Sequence, residues 1–367
     1  MTAASRRTIL IAGGGTGGHL TPALAIASAI ESLTEDLEPV LVGAIRGVEA
    51  KILPTREFRY HLLPSEPIYR RTWWKNVRWP LVVGRLLRGV DELLKAERPA
   101  AVLGTGGYAS APVVWRAAHG GLPTAIQEQN AYPGLATRWL SRRVRHVYLG
   151  LPETRRMLRF GTRTQVFDTG NPIVPPTPDR RPESRRLFGL QAGTPVVLVT
   201  GGSQGALAIN RAVAGWLEAG GPDRAALIWV TGRGTYGEFA RFHRPPRVHV
   251  VDFLDPMADG YAVADLVVSR AGMITVAEIC AWGLPSVLIP LPTAADDHQT
   301  HNARVLAEAG ASLMLPQSAL TPARLAETVN RLLSEDATRG AMATRARERG
   351  KPEAAAEIVS NLLTLVR

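Results

Sequence analysis

A glycine-rich segment between a short apolar run and a helical pattern constrains this chain more than any other feature. Residues 9–12 are apolar, residues 13–18 contain five glycines, and an apolar helical pattern follows from Thr21 to about residue 33. This order predicts a buried strand, a tight loop and a helix. Glycines let backbone N–H groups approach a ligand closely, and a helix N-terminus adds unpaired donors. We therefore predict a ligand-binding loop in which His19 can touch the ligand.

The same order of strand, glycine loop and helix recurs along the chain. Gly104-Thr105-Gly106-Gly107-Tyr108 follows an apolar run at 100–103, and Gly201-Gly202-Ser203-Gln204-Gly205 follows another at 195–200. A third polar strand end, Gln127-Glu128-Gln129-Asn130, follows the run at 123–126. Ligands of parallel sheets bind at the carboxyl ends of strands. The repetition predicts two similar nucleotide-binding folds facing across a cleft.

Short apolar runs alternate with helical patterns through both halves, which favours an α/β fold with two parallel sheets. Five prolines between 172 and 182 predict a linker or hinge within residues 150–195. We expect domains at 1–168 and 173–349, and a C-terminal helix, 350–367, that packs back on the first domain. The 46% hydrophobic content suits a globular protein.

The cysteine content and the lengths of the apolar runs indicate whether disulfides, a signal peptide or membrane spans are expected. The single cysteine, Cys280, excludes an internal disulfide and lies in an apolar helical run, which predicts a buried thiol and not a nucleophile. The N-terminal apolar run is too short for a signal peptide, and no segment approaches the ~18–20 apolar residues of a membrane span.

The positive charge is concentrated in one half. The net charge is +11; residues 1–170 hold 23 basic and 13 acidic residues, and the remainder 20 and 19. Residues 68–88, here the basic-aromatic segment, contain six basic residues, no acidic residue and three tryptophans. Such a segment can lie at a lipid interface, stack on single-stranded nucleic acid, or form a core helix with a solvated basic face. Composition favours the membrane only slightly over the core helix.

Two segments of the second half carry candidate ligand groups. A strand ends at Ser269 and a helix begins near Met273, so the helix N-terminus can hold a diphosphate and Glu278 can accept hydrogen bonds from ribose hydroxyls. A capping box at the helix start is the structural alternative for Thr275 and Glu278. In the second segment, Asp296, Asp297, His298 and His301 suggest a metal site, but a helix N-terminus explains the adjacent carboxylates better.

Together these motifs closely resemble the MurG family, bacterial enzymes that transfer N-acetylglucosamine from UDP-N-acetylglucosamine to lipid I and so make lipid II for peptidoglycan. The resemblance covers nearly the whole chain: residues 14–19, 104–108, 128–130, 201–205, 270–278 and 296–302. It implies a GT-B architecture of two Rossmann-like domains, with the acceptor on the first and the UDP-sugar mainly on the second. It also implies a peripheral enzyme at the cytoplasmic face of the bacterial cell membrane.

The resemblance implies an inverting transfer in which the 4-hydroxyl of the muramoyl sugar attacks the anomeric carbon. His19 is the candidate general base, or else it orients substrate. No cofactor, catalytic metal or nucleic acid is expected. The implied substrate contacts are Thr16, Gly17, Gly18, Tyr108, Asn130, Ser203, Gln204, Leu254, Met273, Ile274, Thr275, Val276, Ala277, Glu278 and Gln299. An anionic membrane surface is expected to contact Arg70, Arg71, Trp73, Trp74, Lys75, Arg78 and Trp79.

The chain departs from the family pattern at one position, and other functions must be weighed against the transferase. The family commonly has an arginine two residues after the Asn-Pro of the domain junction, where this chain has Val174. A dinucleotide oxidoreductase would need an acidic residue at the end of the second strand, which residues 41–46 do not supply. A UDP-sugar epimerase or another GT-B glycolipid transferase would share the architecture, as would a non-catalytic nucleotide-sugar-binding protein.

Overall fold

A computed structural model describes residues 6–15, 17–65, 79–202 and 204–366, which form two compact units. Unit 1 extends to Ile173 and takes in the C-terminal residues from Glu353, whereas unit 2 extends from Val174 to Pro352.

Unit 1 is built on a parallel sheet of seven strands in the order β3-β2-β1-β4-β5-β6-β7. The strands are β1 (Arg7–Gly13), β2 (Leu37–Ala44), β3 (Arg59–Leu63), β4 (Ala101–Gly106), β5 (Thr124–Glu128), β6 (His146–Leu149) and β7 (Gln165–Phe167). Alternate residues of β1 enter different clusters, Ile9 and Ile11 on one face and Leu10 and Ala12 on the other. Both faces are therefore buried, as expected for a parallel sheet.

Helices cover both faces of this sheet. They are α1 (Gly17–Leu33), α2 (Glu49–Ile52), α3 (Trp79–Glu97), α4 (Ser110–His119), α5 (Leu135–Leu140) and the C-terminal α14 (Ala354–Leu365). Ile358, Val359 and Leu362 of α14 are almost fully buried in the same cluster as Ile9 and Ile26. Since each such side chain contributes about 1.5–3 kcal/mol of burial free energy, the C-terminal helix is an integral part of unit 1.

Unit 2 repeats the topology with six parallel strands in the order β10-β9-β8-β11-β12-β13. The strands are β8 (Val196–Thr200), β9 (Ala226–Val230), β10 (Val248–Val251), β11 (Leu266–Ser269), β12 (Ser286–Leu288) and β13 (Leu313–Met314). The helices are α6 (Arg181–Leu187), α7 (Leu207–Glu218), α8 (Tyr236–Phe239), α9 (Ala258–Val263), α10 (Met273–Trp282), α11 (His298–Glu308), α12 (Pro322–Ser334) and α13 (Asp336–Arg349).

The strand order reverses next to β1 in unit 1 and next to β8 in unit 2. Because ligands of open α/β sheets bind where the order reverses, the loops after β1 and β4 and those after β8 and β11 are the candidate ligand loops. These are the loops that contain the glycine motifs.

The two predicted parallel α/β sheets are confirmed, but the predicted start of the first helix is wrong and the predicted connecting segment is partly structured. Helix α1 begins at Gly17 and not near Thr21, so Pro22 lies inside the helix and not at its first position. The division between the two units, Ile173 to Val174, falls within the predicted connecting segment of 150–195. That segment is not a simple linker, because it also contains β7, which pairs with β6, and α6, which packs on α9. A glycine at the start of α1 and a proline at the second position of α6 make these helices hard to recognise from the sequence pattern.

Within the residues that the structure describes, the longest helices are not apolar enough to cross a membrane. Most of the basic-aromatic segment falls outside those residues, including Arg70, Arg71, Trp73, Trp74, Lys75 and Arg78, as do Thr16 and Ser203.

Candidate active site

The two glycine loops of unit 1 are packed against each other. The Gly14 N–H donates to Gly106 O at 3.3 Å. Gly107 has φ +84°, and a Cβ there would lie 1.8 Å from Gly14 O. A Cβ on Gly13 would lie 2.0 Å from Thr105 Oγ1. These glycines therefore allow close contact between the two loops, a need that sequence reasoning had assigned to the ligand alone.

The buried carboxyl group of Glu49 binds the backbone of the first glycine loop. Its oxygens accept hydrogen bonds from Gly15 N at 2.9 and 3.0 Å and from Ala44 N at 2.9 Å. Glu49 is fully buried, and a Cβ on Gly14 would lie 2.1 Å from it. The Gly15 N–H is thus used inside the protein. Glu49 follows β2 closely but is enclosed, so it does not serve as the ribose-binding acid of a dinucleotide fold.

His19 is the third residue of α1 and lies over the second loop. Its Nδ1 is 3.2 Å from Thr105 O and 3.3 Å from Gln129 Oε1, and Thr105 Oγ1 donates to His19 O at 2.9 Å. Since both oxygens are acceptors, Nδ1 carries the hydrogen in the neutral ring and Nε2 carries the lone pair. This is the tautomer that a general base acting through Nε2 requires.

A chain of buried side-chain amides fixes the direction of that hydrogen bond. Asn171 Nδ2 donates to Gln129 O at 3.2 Å, and Gln127 Nε2 donates to Asn171 Oδ1 at 2.9 Å. Gln129 Nε2 donates to Thr105 O at 2.6 Å and to Gln127 Oε1. A backbone carbonyl only accepts, so Gln129 O and Thr105 O orient all three amides and turn Gln129 Oε1 toward His19. The sequence pattern placed Gln127 and Gln129 at a polar strand end, but it did not predict their contacts with Asn171 and His19, which are long-range.

The remaining predicted contacts of unit 1 surround these loops. Gly17 and Gly18 form the first residues of α1, and the Tyr108 ring lies beside Gly15, where an added Cβ would be 2.5 Å from Tyr108 Cε1. Glu128, 4% exposed, accepts from both Asn130 N and Asn130 Nδ2, at 3.1 and 3.3 Å. The structure therefore gathers these residues at the carboxyl ends of β1, β4 and β5.

In unit 2, the first predicted ligand loop follows β8. Gln204 is exposed, and Gly205 has φ +72° with its Cβ position 2.2 Å from Thr231 O, so a side chain is not tolerated there. The loop thus packs on the chain that follows β9 and leaves Gln204 facing solvent.

The second ligand loop of unit 2 opens α10. Its N-cap is Gly272, which has no side chain to cap the first-turn N–H groups of Met273, Ile274 and Thr275. The capping-box alternative is therefore wrong, because Thr275 and Glu278 both lie inside the helix. Met273 and Val276 are 6% and 1% exposed. Val276 N–H donates to Gly272 O and so is not one of the uncapped first-turn N–H groups, whereas Ala277 is partly exposed.

Glu278 lies in the second turn of α10 and accepts a hydrogen bond from Tyr261 Oη at 2.9 Å. Burial raises the pKa of Glu278 to about 7, although the Tyr261 hydrogen bond lowers it. Leu254, a predicted substrate contact, packs beside Tyr261: a Cβ on the neighbouring Gly260 would lie 2.8 Å from Leu254 Cδ2. Leu254, Tyr261 and Glu278 are thus brought together.

Arg270, at the end of β11, is a buried cation that sequence reasoning did not single out. Its guanidinium donates to Ile289 O, Pro290 O and Gln317 Oε1 at 3.1, 3.2 and 2.6 Å, and burial lowers its pKa. Gln299 Oε1 accepts from Leu291 N at 3.0 Å, which leaves its Nε2 as the end that can donate to a ligand. Arg270 and Gln299 thus both form hydrogen bonds with the backbone of the segment that follows β12.

Other predicted features have simple structural outcomes. Among the described residues, no group of three or more His, Cys, Asp or Glu side chains is placed to hold a metal, so Asp296, Asp297, His298 and His301 do not form such a group. Val174 is 76% exposed and supplies no cation. Cys280 is buried and burial raises its pKa to about 12, which confirms the prediction of a packed thiol.

Two units with the same parallel α/β topology, each with its glycine loops where the strand order reverses, are typical of GT-B glycosyltransferases. The family model "Glycosyltransferase family 28 N-terminal domain" matches residues 9–149, and "Glycosyltransferase family 28 C-terminal domain" matches residues 196–358. The chain is therefore a glycosyltransferase with both domains of that family.

Individual relatives narrow the assignment. The chain is 37% identical to the UDP-N-acetylglucosamine–N-acetylmuramyl-(pentapeptide) pyrophosphoryl-undecaprenol N-acetylglucosamine transferase of Porphyromonas gingivalis, over 97% of this chain and 95% of the relative. It is similar to the crystal structure of Acinetobacter baumannii MurG, with a TM-score of 0.76 and 28% identity over 98% of this chain and 99% of that one. The chain belongs to the MurG family, which confirms the resemblance of its motifs.

A solved epimerase shares the fold alone. The structure of UDP-GlcNAc 2-epimerase from Neisseria meningitidis bound to UDP-GlcNAc matches with a TM-score of 0.65 and 14% identity, over 98% of this chain and all of that one. The epimerase alternative is therefore supported less well than the transferase.

Proposed function

We propose that this chain transfers N-acetylglucosamine from UDP-N-acetylglucosamine to lipid I, giving lipid II for peptidoglycan synthesis. The observation that carries the proposal is the match to the Porphyromonas gingivalis transferase, whose name states this donor and this acceptor, over 97% of the chain. His19, the proposed base, and Glu278, the proposed acceptor for the ribose hydroxyls, each have a hydrogen-bond partner within their own unit.

The proposed reaction is an inverting displacement. The 4-hydroxyl oxygen of the muramoyl sugar bonds to the anomeric carbon of N-acetylglucosamine, and the bond from that carbon to the UDP oxygen breaks. His19 Nε2 takes the hydroxyl proton, because the hydrogen bonds of Nδ1 to Thr105 O and Gln129 Oε1 keep the ring hydrogen on Nδ1. UDP leaves with the electron pair of the broken bond.

The donor contacts that we propose in unit 2 follow the chemistry of each group. The first-turn N–H groups of α10, from Met273 to Thr275, and the loop with Ser203 and Gln204 would stabilise the diphosphate. Leu254 would pack on the uracil, Glu278 would accept from the ribose hydroxyls, and Gln299 Nε2 would donate to the sugar.

In unit 1 we propose contacts to the sugar region of the substrates. Thr16, Gly17, Gly18, Tyr108 and Asn130 are the residues that the family resemblance implies, and those that the structure describes lie around His19.

We further propose that the enzyme is peripheral at the cytoplasmic face of the membrane. Besides the basic-aromatic segment, α5 presents Leu135 and Trp139, 59% and 44% exposed, and the Arg143 guanidinium lies 4.4 Å from the Trp139 ring. Trp115 of α4 lies 6.2 Å from Trp139. Exposed aromatic and aliphatic groups beside cations suit an anionic lipid interface. The free Cys280 suits a reducing compartment.

The test is the release of UDP from UDP-N-acetylglucosamine, with and without a short-chain lipid I analogue and with EDTA. We expect release that depends on the acceptor, persists in EDTA and matches the formation of a disaccharide-lipid product. Conversion of the donor without acceptor would instead indicate an epimerase or a hydrolase.

A His19→Ala variant tests the proposed base. We expect turnover to fall by about 10²–10⁴-fold, while the Kd for UDP-N-acetylglucosamine changes by no more than a few fold. His119→Ala, at an exposed histidine of the same unit, is the control and should retain activity. Full activity of His19→Ala would exclude His19 as the base.

A further inference from the structure

The contact between Glu278 and Tyr261 goes beyond what the family resemblance assigns. Tyr261 belongs to α9 and is 3% exposed, whereas Glu278 of α10 keeps part of its surface accessible. The tyrosine hydroxyl donates to Glu278 Oε2 at 2.9 Å. One carboxylate oxygen, Oε2, is therefore held from inside the protein, and Tyr261 does not engage Oε1.

Helix α9, which carries Tyr261, is itself firmly anchored. Asp259 of the same helix accepts from Ser184 Oγ at 2.8 Å and pairs with Arg180 at 2.9 Å. The Tyr261 ring also lies 6.2 Å from the Trp282 ring of α10. The hydroxyl is thus presented from a fixed position, so its hydrogen bond restricts the rotamers of Glu278.

We propose that Tyr261 is a positioning residue that holds the Glu278 carboxylate in the orientation needed to accept both ribose hydroxyls of the uridine nucleotide. The inference rests on the proposed role of Glu278 in ribose binding. A carboxylate has about four acceptor sites, so one bond to Tyr261 still leaves enough for the 2′- and 3′-hydroxyls. Holding the group before the ligand arrives removes the entropy loss of ordering it on binding.

The chemistry of the tyrosine supports a permanent donor. Burial and the neighbouring Glu278 carboxyl raise the pKa of Tyr261 well above its ordinary value, so the hydroxyl keeps its proton. With an ionised Glu278 the bond is charge-assisted, and such bonds are about twice as strong as neutral ones.

The experiment compares the Kd of UDP and 2′,3′-dideoxy-UDP for the full chain and for Tyr261→Phe, by isothermal titration calorimetry. The dideoxy ligand lacks the hydroxyls that Glu278 would bind. We expect wild type to prefer UDP, and Tyr261→Phe to weaken UDP binding about 5–10-fold, the worth of one hydrogen bond, with little change for dideoxy-UDP. Phenylalanine keeps the ring that packs beside Trp282, and thermal unfolding of each variant checks that the fold is retained.

A double-mutant cycle with Glu278→Ala separates positioning from packing. Once Glu278 is removed, Tyr261→Phe should change UDP affinity by less than about twofold. Equal weakening of both ligands by Tyr261→Phe, or no change for either, would overturn the role of Tyr261 while wild type still distinguished the ligands. If wild type itself bound UDP and dideoxy-UDP equally, the ribose contact of Glu278 would be wrong, and the inference would fall with it.

Discussion

Removal of the Glu49 carboxyl group should destabilise unit 1 strongly. In Glu49→Ala, Gly15 N–H and Ala44 N–H lose their acceptor in a region where Glu49 is fully buried. A buried donor left without a partner costs about 1–3 kcal/mol, so the two together should reduce the free energy of unfolding by about 4 kcal/mol. For a unit of this size the corresponding fall in Tm is about 8–16 °C.

Differential scanning calorimetry is the assay, with two variants that separate the causes. Glu49→Gln keeps an oxygen at the Oε1 position, which accepts from both N–H groups at 2.9 Å, and should lose only about 1–2 kcal/mol. Glu31→Ala removes an exposed carboxylate, 3.4 Å from Arg6, and should change the unfolding free energy by less than about 1 kcal/mol. If Glu49→Ala unfolded within a degree or two of wild type, the carboxyl group would not hold the loop and this reasoning would be wrong.

Gly106→Ala places a Cβ 2.5 Å from His19 Nδ1, so kcat should fall about 10²-fold while the Kd for the donor stays unchanged. Gly121→Ala is the control, because Gly121 also has a positive φ but has open space around its Cβ position, and it should retain kcat. Equal losses of kcat in the two variants would refute the argument from the His19 contact. Trp139→Ser should weaken co-sedimentation with anionic vesicles several-fold, measured at low and high salt, and unchanged binding would remove α5 from the membrane surface. Because the pKa of Glu278 is raised to about 7 and the ionised carboxylate is the better acceptor, UDP binding should strengthen as pH rises from 6 to 8. The contribution of Glu278 to the free energy of unfolding runs the opposite way: it is present at low pH and is lost as pH rises through 7. A calorimetric Kd for UDP that did not change with pH would contradict the assignment.

The sequence predicted elements with a clear period and failed where long-range contacts decide. The apolar runs at 9–12, 100–103 and 195–200 each became a strand, because buried parallel strands are apolar throughout. The start of α1 at Gly17 and strand β7 were missed, because glycine and a short exposed edge strand carry little pattern.

The same division applies to the candidate site. His19 and Glu278 could be singled out from the sequence because each belongs to a short motif whose residues are neighbours in the chain. Their partners did not: Gln129 reaches His19 across 110 residues, and Tyr261 lies on a helix other than that of Glu278. No period or spacing predicts which buried amide or hydroxyl will face a given side chain.

The two halves repeat one local pattern, but the backbone N–H groups of their glycine loops are engaged differently. In unit 1 the Gly14 and Gly15 N–H groups are bound by Gly106 O and Glu49, so the first glycine loop acts mainly as a rigid support for His19. In unit 2 the glycine before α10 has no side chain that would occupy the first-turn N–H groups. A base needs a fixed ring and a diphosphate needs N–H donors, so the repeated sequence pattern is compatible with proton transfer in one unit and anion binding in the other.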